Sequence, residues 1–280
     1  MYLGVYSIEF KRILNNKRED NMVWKPFEPE SKLILSERIV IGDIPCLRYR
    51  PKGSSGLLPT VIYYHGWHSS KEYQRFKGNV LAAYGYQVII PDAIYHGERN
   101  PISYDEPGAF EKYFWDIVFQ NTEESQFLIE NIIDNYEADP NRIGVMGNSM
   151  GGFSASGVFI KNTNLKCMVN TNGSCAWVKA EEIFRKIVNM PSIDEERIKE
   201  LSVYDPMYNN EKLKERPILM LHGDRDSSVP IDCQREFYKE MAPSYSENPE
   251  KLKLVEIPRM DHYISTGMFE AAIEWFKKYL

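Results

Sequence analysis

The chain has 280 residues, of which 43% are hydrophobic and 26% are charged, and its formal net charge is −6. This balance is typical of a globular protein with a substantial core, and the length fits a single α/β domain. Because the basic residues are scattered among acidic ones, the sequence argues against a nucleic acid or an anionic membrane as the main partner. Both of these attract a concentrated positive field.

The sequence shows no pattern for export or membrane insertion. The first residues lack a basic leader followed by a sustained apolar region. No stretch reaches the roughly 18 to 20 apolar residues that a membrane-spanning helix needs. The four cysteines are dispersed and form no CxxC pair: Cys46, Cys167, Cys175 and Cys233. Dispersed cysteines are typical of free thiols in a reducing compartment, so we expect a cytoplasmic protein.

In chain order, residues 1–31 are predicted to form an N-terminal appendage with one amphipathic helix. This appendage is a candidate dimer arm or flap, and a dimer arm would make the protein a homo-oligomer. Residues 33–44 and 45–50 are predicted as two antiparallel strands joined at Gly42-Asp43. Strands and helices then alternate: strands at 60–64, 86–90, 142–146, 166–170, 217–221 and 253–257, and helices at 71–84, 109–136, 150–160 and around 268–276. This alternation predicts a mostly parallel, doubly wound sheet flanked by helices, in one domain over residues 32–280.

The segment from about 173 to 214 interrupts this alternation, because it carries helical patterns but no convincing strand. Its place after the sixth strand of the alternation predicts a small helical cap over the carboxyl ends of the strands. Four of its apolar side chains are candidates for lining an apolar pocket: Trp177, Phe184, Ile187 and Met190. Packing of the cap onto the sheet is the alternative role for most of them.

The most specific motif is Gly147-Asn148-Ser149-Met150-Gly151, between a predicted strand and a predicted helix. A G-x-S-x-G pentapeptide in this context is typical of a nucleophile elbow, in which a strained turn exposes the serine hydroxyl. Glycines stand close to the serine because a side chain there would clash with the backbone. The alternative is a glycine-rich turn without catalysis. The flanking strand and helix favour Ser149 as the nucleophile.

A serine nucleophile needs a general base and an acid that orients the base. In the expected chain order, the serine is followed by the acid and then by the histidine. Of the five histidines, only His262 lies after both the serine and the candidate acids, in the loop before the last helix. Asp224 and Asp226 follow the same predicted strand and compete for the acid role. Asp261 adjoins His262 and is interpreted as a loop-capping residue.

Two backbone N–H groups are candidates for an oxyanion hole. Met150 follows the serine at the start of a helix, where N–H groups have no partner within the helix. The second donor is predicted after the first parallel strand, where a histidine–glycine turn presents the N–H of Trp67. His65 and His68 have no cysteine or carboxylate cluster nearby, which argues against a metal site, so we expect them to shape this loop.

The segment from Asp92 to Arg99 also carries several ionisable side chains. It precedes the serine in the chain and follows a predicted strand. We interpret it as a structural loop beside the site, with Glu98 and Arg99 as a candidate ion pair.

Residues 33–280 resemble the α/β-hydrolase superfamily, in the branch of dienelactone-hydrolase-like and prolyl-oligopeptidase-like enzymes. The matching motifs are HGW at 65–67, PDAIYHGER at 91–99, GNSMGG at 147–152, YDP at 204–206, HGDRDSSVP at 222–230 and Asp261-His262. The H-G-x-x-D pattern of the family implies Asp226, rather than Asp224, as the acid. The resemblance also implies the nucleophile, the base and the two backbone donors, which fall on Ser149, His262, Trp67 and Met150.

The resemblance implies a serine hydrolase that cleaves small-molecule carboxylic esters through an acyl-enzyme intermediate, without a cofactor or metal. The alternative is a small peptidase that cleaves amides with the same triad and binds a peptide amino terminus through paired acids. Glu98, Glu181 and Glu182 are candidates for that role, although a charge pair on a helix is typical of a solvated face. A non-catalytic binding module is a third interpretation, and it normally accompanies the loss of a triad residue.

Overall fold

The computed structural model describes residues 31–213 and 215–280. Its strands are β1 (Ile34–Ile41), β2 (Ile44–Pro51), β3 (Leu58–Tyr64), β4 (Gln87–Pro91), β5 (Ala138–Asn148), β6 (Met168–Thr171), β7 (Ile218–Gly223) and β8 (Leu252–Ile257). Within the described residues they form one sheet in the order β1-β2-β4-β3-β5-β6-β7-β8. β2 pairs antiparallel with β1 and with β4, and the other neighbours are parallel. The predicted α/β-hydrolase fold with a mostly parallel sheet is confirmed.

The helices of the described residues are α1 (Arg75–Ala83), α2 (Ala109–Asn135), α3 (Met150–Lys161), α4 (Trp177–Ile187), α5 (Glu195–Ser202), α6 (Asp232–Met241) and α7 (Thr266–Tyr279). The predicted helix at 71–84 begins instead with a 3₁₀ turn, Lys71–Gln74, before α1. The appendage predicted at residues 1–31 lies outside the described residues except for Ser31, so the domain boundary at residue 32 stays a prediction.

The sheet is buried on both faces, which explains the continuous apolar runs in its central strands. Successive side chains point to opposite sides. Ile62 of β3 and Val145 of β5 pack in a cluster with α2, α3 and α6, whereas Val61 and Met146 pack with α1 and α7. Each such side chain contributes about 1.5 to 3 kcal/mol by leaving water. The helices on both faces therefore hold the strands rigidly beneath the loops at their ends.

The loops after the parallel strands leave the same edge of the sheet, because these strands share one direction. Trp67 lies in the loop after β3, and Ser149 lies in the turn after β5. Asp226 and His262 lie in the loops after β7 and β8. The fold therefore gathers residues that are far apart in the chain at one edge.

The segment at 173–213 contains α4 and α5 and no strand, as its sequence pattern predicts. Trp177 is fully buried, and Phe184 is half-buried against aromatic rings of α2 and α3. Ile187 and Met190 are 60% and 39% exposed. The four candidate pocket residues therefore separate into packing and exposed positions.

In the part of the chain that the structure describes, no helix combines the length and the apolar character needed to cross a bilayer.

Candidate active site

The turn between β5 and α3 holds Ser149 in a strained backbone conformation, with φ 56° and ψ −125°. A positive φ is rare for a residue with a Cβ and is typical of functional sites. A Cβ on Gly147 would lie 1.8 Å from the carbonyl oxygen of Gly151, and a Cβ on Gly151 would lie 2.1 Å from that of Tyr64. Because atoms cannot approach so closely, a larger residue would open the turn. The two glycines therefore keep Ser149 at the edge of the sheet.

His262 joins the predicted nucleophile to the predicted acid. Its Nε2 lies 2.8 Å from Oγ of Ser149, and its Nδ1 lies 2.7 Å from Oδ2 and 2.9 Å from Oδ1 of Asp226. These partners assign the ring proton to Nδ1, which donates to the carboxylate, so that Nε2 accepts the hydrogen bond of the serine hydroxyl. The structure thus brings together the three side chains that the sequence pattern and the family spacing predict.

The carboxylate of Asp226 is buried and nevertheless stays ionised. Burial alone raises its pKa, but hydrogen bonds from His222, His262 and the backbone N–H of Val229 outweigh burial and hold the pKa well below its ordinary value. Oδ1 also accepts the N–H of Ser228 at 2.9 Å. Asp226 therefore presents a negatively charged carboxylate to Nδ1 of His262.

The other two candidate acids lie elsewhere. Among the described residues, no hydrogen bond joins Asp224 to His262, and the buried Oδ1 of Asp224 has no hydrogen-bond partner there. Oδ1 of Asp261 accepts the N–H and the hydroxyl of Ser227, each at 2.8 Å, and the N–H of His262 at 2.8 Å. Asp261 thus connects the loop that carries His262 to the loop that carries Asp226, as a capping residue does.

Asn172, directly after β6, connects the loop that carries His262 to the end of β7. Its φ is 47°, a left-handed conformation that asparagine tolerates better than most residues. Its Nδ2 donates to the carbonyl oxygen of Tyr263 at 2.8 Å, and its Oδ1 accepts the N–H of Gly223 at 3.1 Å. Asn172 therefore fixes the loop that carries His262 against the strand that precedes Asp226. No sequence motif marks Asn172, so it was not among the predicted site residues.

The two residues predicted to supply oxyanion donors lie on segments next to Ser149. Met150 is the first residue of α3, so its N–H has no carbonyl partner within the helix. Gly66 lies against the serine, since a Cβ built on it would be 3.3 Å from Cβ of Ser149. Trp67 follows directly, so the loop after β3 and the first turn of α3 border the space in front of the hydroxyl.

Two buried histidines hold the loop of Trp67. The N–H of Ala93 donates to Nε2 of His65 at 3.1 Å, which leaves the ring proton on Nδ1 for the carbonyl oxygen of Gly66 at 2.9 Å. That carbonyl and the N–H of Trp67 belong to one peptide group, so the hydrogen bond fixes the direction of both. On the other side, Nε2 of His96 lies 2.5 Å from the carbonyl oxygen of Trp67. The sequence pattern linked His65, but not His96, to this loop.

An ion cluster built on the buried Lys71 and Asp92 supports the loop after β4. Nζ of Lys71 lies 2.6 Å from Oδ2 of Asp92 and 2.6 Å from Oε1 of Glu98. Burial opposes the charge on Lys71, but these hydrogen bonds raise its pKa above the ordinary value. Arg99 instead binds Glu124 at 2.7 Å. The predicted pair between Glu98 and Arg99 is wrong, because each side chain finds its partner on another element.

The sequence of the chain matches a known protein family. Residues 121–280 match the model of the prolyl oligopeptidase family, which is more than half of the chain. The chain is also 32% identical over 263 residues to YitV of Bacillus subtilis (strain 168), covering 89% of this chain and 100% of that protein. The chain belongs to the prolyl oligopeptidase family. The α/β-hydrolase resemblance is therefore confirmed, and the protein is a hydrolase of the esterase and prolyl oligopeptidase type.

Two further proteins are similar to this family member over most of its length. Esterase YjfP of Escherichia coli (strain K12) is 28% identical over 246 residues, covering 86% of this chain and 97% of that protein. The crystal structure of TT1662 from Thermus thermophilus superposes with a TM-score of 0.72 at 20% identity, covering 88% of this chain and 97% of that one. The latter similarity concerns the fold.

The described residues of this hydrolase contain no group of three or more histidine, cysteine or acidic side chains arranged to hold a metal ion. His68, one of the two histidines considered for metal binding, has a side chain that is 60% exposed, and its Nε2 lies 3.3 Å from Oδ1 of Asp105.

Aromatic rings extend from the loop of Trp67 to α4 in this hydrolase. The Trp67 ring lies 5.6 Å from that of Tyr104 and 5.6 Å from that of Phe110. Phe110 lies 5.7 Å from Phe184 of α4, which in turn lies 6.2 Å from Phe153 of α3. Phe110 is 36% exposed. A cluster of packed aromatic rings therefore connects the loop of Trp67 with α3 and α4.

We expect the free energy of unfolding of His65→Asn to fall less between neutral and acidic pH than that of the wild type. Burial, the largest cause, lowers the pKa of His65 from 6.5 to about 4; His96 and Lys71 also lower it, whereas Asp92 and the carbonyl of Gly66 raise it. The unfolded chain thus takes up a proton near pH 6.5, and the folded protein only near pH 4. The stability from neutral His65 is fully present above pH 6.5 and is lost as the pH falls toward 4. The shift corresponds to about 3 kcal/mol.

Urea unfolding of wild type and His65→Asn, measured at several pH values across this window, tests the prediction. Asparagine retains an N–H donor for the carbonyl of Gly66 but does not titrate. We expect the free energy of unfolding of the wild type to fall relative to that of the variant as the pH decreases. His68→Asn, at an exposed histidine, serves as the control and should follow the wild type. A difference in the free energy of unfolding between wild type and His65→Asn that stays constant with pH would contradict a lowered pKa of His65.

Proposed function

We propose that the protein is a serine carboxylesterase. The observation that carries the proposal is the hydrogen-bonded series from Ser149 through His262 to Asp226, with Ser149 on a strained turn at the start of α3. A serine hydroxyl, a neutral imidazole and a buried carboxylate in this order form the arrangement that activates serine for acyl transfer.

In the proposed mechanism, Oγ of Ser149 attacks the ester carbonyl while Nε2 of His262 takes the hydroxyl proton. Asp226 stabilises the imidazolium that forms. The N–H groups of Trp67 and Met150 bind the developing oxyanion. The tetrahedral intermediate collapses when His262 returns the proton to the leaving alkoxide, which gives the acyl-enzyme. Water then attacks the acyl group while His262 takes its proton, and the second tetrahedral intermediate collapses as His262 returns that proton to Oγ of Ser149, which releases the carboxylic acid and the free serine.

Esters are favoured over peptides because the acids considered for a peptide amino terminus have other partners. Glu181 accepts the indole N–H of Trp115 at 2.8 Å and the guanidinium of Arg185 at 2.7 Å. Glu98 binds Lys71, and Glu182 lies on an exposed position of α4. The similarity to esterase YjfP supports the same choice. The name of the family keeps a peptidase as the second candidate.

The test is a time course of the purified protein with p-nitrophenyl acetate, butyrate and octanoate, beside an aminoacyl p-nitroanilide. We expect turnover of the esters, since p-nitrophenolate leaves more readily than an anilide nitrogen and the described residues considered for an amino terminus, Glu98, Glu181 and Glu182, form no free acid pair. Turnover of the anilide alone would favour the peptidase. Silence on all of these substrates, together with no labelling by a fluorophosphonate, would favour a non-catalytic binding module.

A further inference from the structure

His222, near the end of β7, is fully buried, and the proposed mechanism gives it no role. Its Nε2 lies 3.2 Å from Oδ2 of Asp226 and 2.8 Å from the carbonyl oxygen of Val229. Its Nδ1 is buried and has no hydrogen-bond partner among the described residues. His222 therefore contacts the same carboxylate oxygen that accepts the shorter hydrogen bond from His262.

One protonation form of His222 fits these contacts. A proton on Nδ1 alone would direct the lone pair of Nε2 at two oxygens and leave a buried N–H unpaired. An imidazolium would also bury an unpaired N–H. The neutral form with the proton on Nε2 donates to Val229, faces Oδ2 of Asp226 with a positive N–H, and leaves only a lone pair without a partner. His222 is thus a neutral donor to Val229, and the same Nε2 lies 3.2 Å from Oδ2 of Asp226.

We infer that His222 is a positioning residue for the carboxylate of Asp226, an inference that rests on the proposed function. Two backbone N–H groups of the turn that follows donate to Oδ1 at 2.9 and 2.8 Å. Nε2 of His222 lies 3.2 Å from Oδ2, and Oδ2 accepts from Nδ1 of His262 at 2.7 Å. Neighbouring groups at both oxygens fix the plane of the carboxylate. The fixed carboxylate then orients the ring of His262 through Nδ1, so that Nε2 points at Ser149. The donor acts on the reaction step and not on substrate binding.

The first experiment compares two substitutions with p-nitrophenyl butyrate as the substrate. His222→Leu removes the donor at similar size, and His222→Gln retains an amide N–H near the position of Nε2. We expect His222→Leu to lower kcat on the order of 10- to 100-fold, the effect of one hydrogen bond to a charged group, with KM changed less than about twofold. His222→Gln should recover most of that loss. Thermal unfolding checks the fold, and His222→Met replaces the leucine variant if the latter does not fold.

The second experiment repeats His222→Leu in an Asp226→Asn background. A residue that acts through Asp226 should then change kcat by less than about twofold, because its target is already lost. An equal loss in both backgrounds would overturn the inference, since it would indicate general packing. Unchanged kcat in the single His222→Leu variant would overturn it as well. If Asp226→Asn alone keeps wild-type activity, the proposed triad itself fails, and this inference fails with it.

Discussion

Ser149→Ala is expected to lower kcat for p-nitrophenyl esters by roughly 10⁵- to 10⁶-fold, because it removes the atom that forms the acyl-enzyme. The residual rate should come from the oxyanion donors and from substrate binding alone. Alanine has the same Cβ as serine, so the turn at φ 56° carries no new clash. The variant loses one hydrogen bond, from the hydroxyl to Nε2 of His262. We therefore expect its unfolding midpoint to stay close to that of the wild type.

Three measurements on the same preparations separate loss of chemistry from loss of fold. Initial rates give kcat, fluorophosphonate labelling followed by mass spectrometry locates the modified serine, and thermal unfolding reports stability. Ser36→Ala, at an exposed position on β1, is the matched control and should keep full activity and labelling. More than a tenth of wild-type activity in Ser149→Ala would contradict the assignment of the nucleophile.

The elbow can be read from the sequence because its constraint is local. Gly147 and Gly151 are required by carbonyl oxygens of the same turn and of the neighbouring strand. His262 follows from chain order, because it alone occupies the last loop. The chain order alone leaves two candidates for the orienting acid, because Asp224 and Asp226 follow the same strand. Only the residue spacing of the family motif distinguishes between them. In the structure, the side chain of Asp226 is the one that reaches His262.

The supports of the site cannot be read in the same way. Glu98 was expected to bind its neighbour Arg99, yet Lys71 binds Glu98 and Glu124 binds Arg99, from positions 27 and 25 residues away. A buried charge is costly unless it is paired, so these partners are chosen by burial in the folded protein and not by proximity in the chain. His96 was missed for the same reason, because only the fold places it against the loop of Trp67.

Asp226→Asn is expected to lower kcat by about 10³- to 10⁴-fold, whereas Asp224→Asn should change it less than about threefold. An asparagine at position 226 can donate its amide N–H to Nδ1 of His262, which would move the ring proton to Nε2. A protonated Nε2 cannot take the proton of Ser149, so the general base would be lost while the fold is kept. Asp224 makes no contact with His262 among the described hydrogen bonds.

The two aspartates form a matched pair, because they lie two residues apart on one turn and receive the same isosteric change. The ratio of their effects therefore isolates the contact with His262 from any general effect of removing a negative charge near the site. That contact acts in the reaction step, so we expect the loss in Asp226→Asn to appear in kcat, with KM close to the wild-type value. A larger loss in Asp224→Asn would move the acid role to that residue. Equal, small losses would mean that His262 acts as the base without an orienting carboxylate.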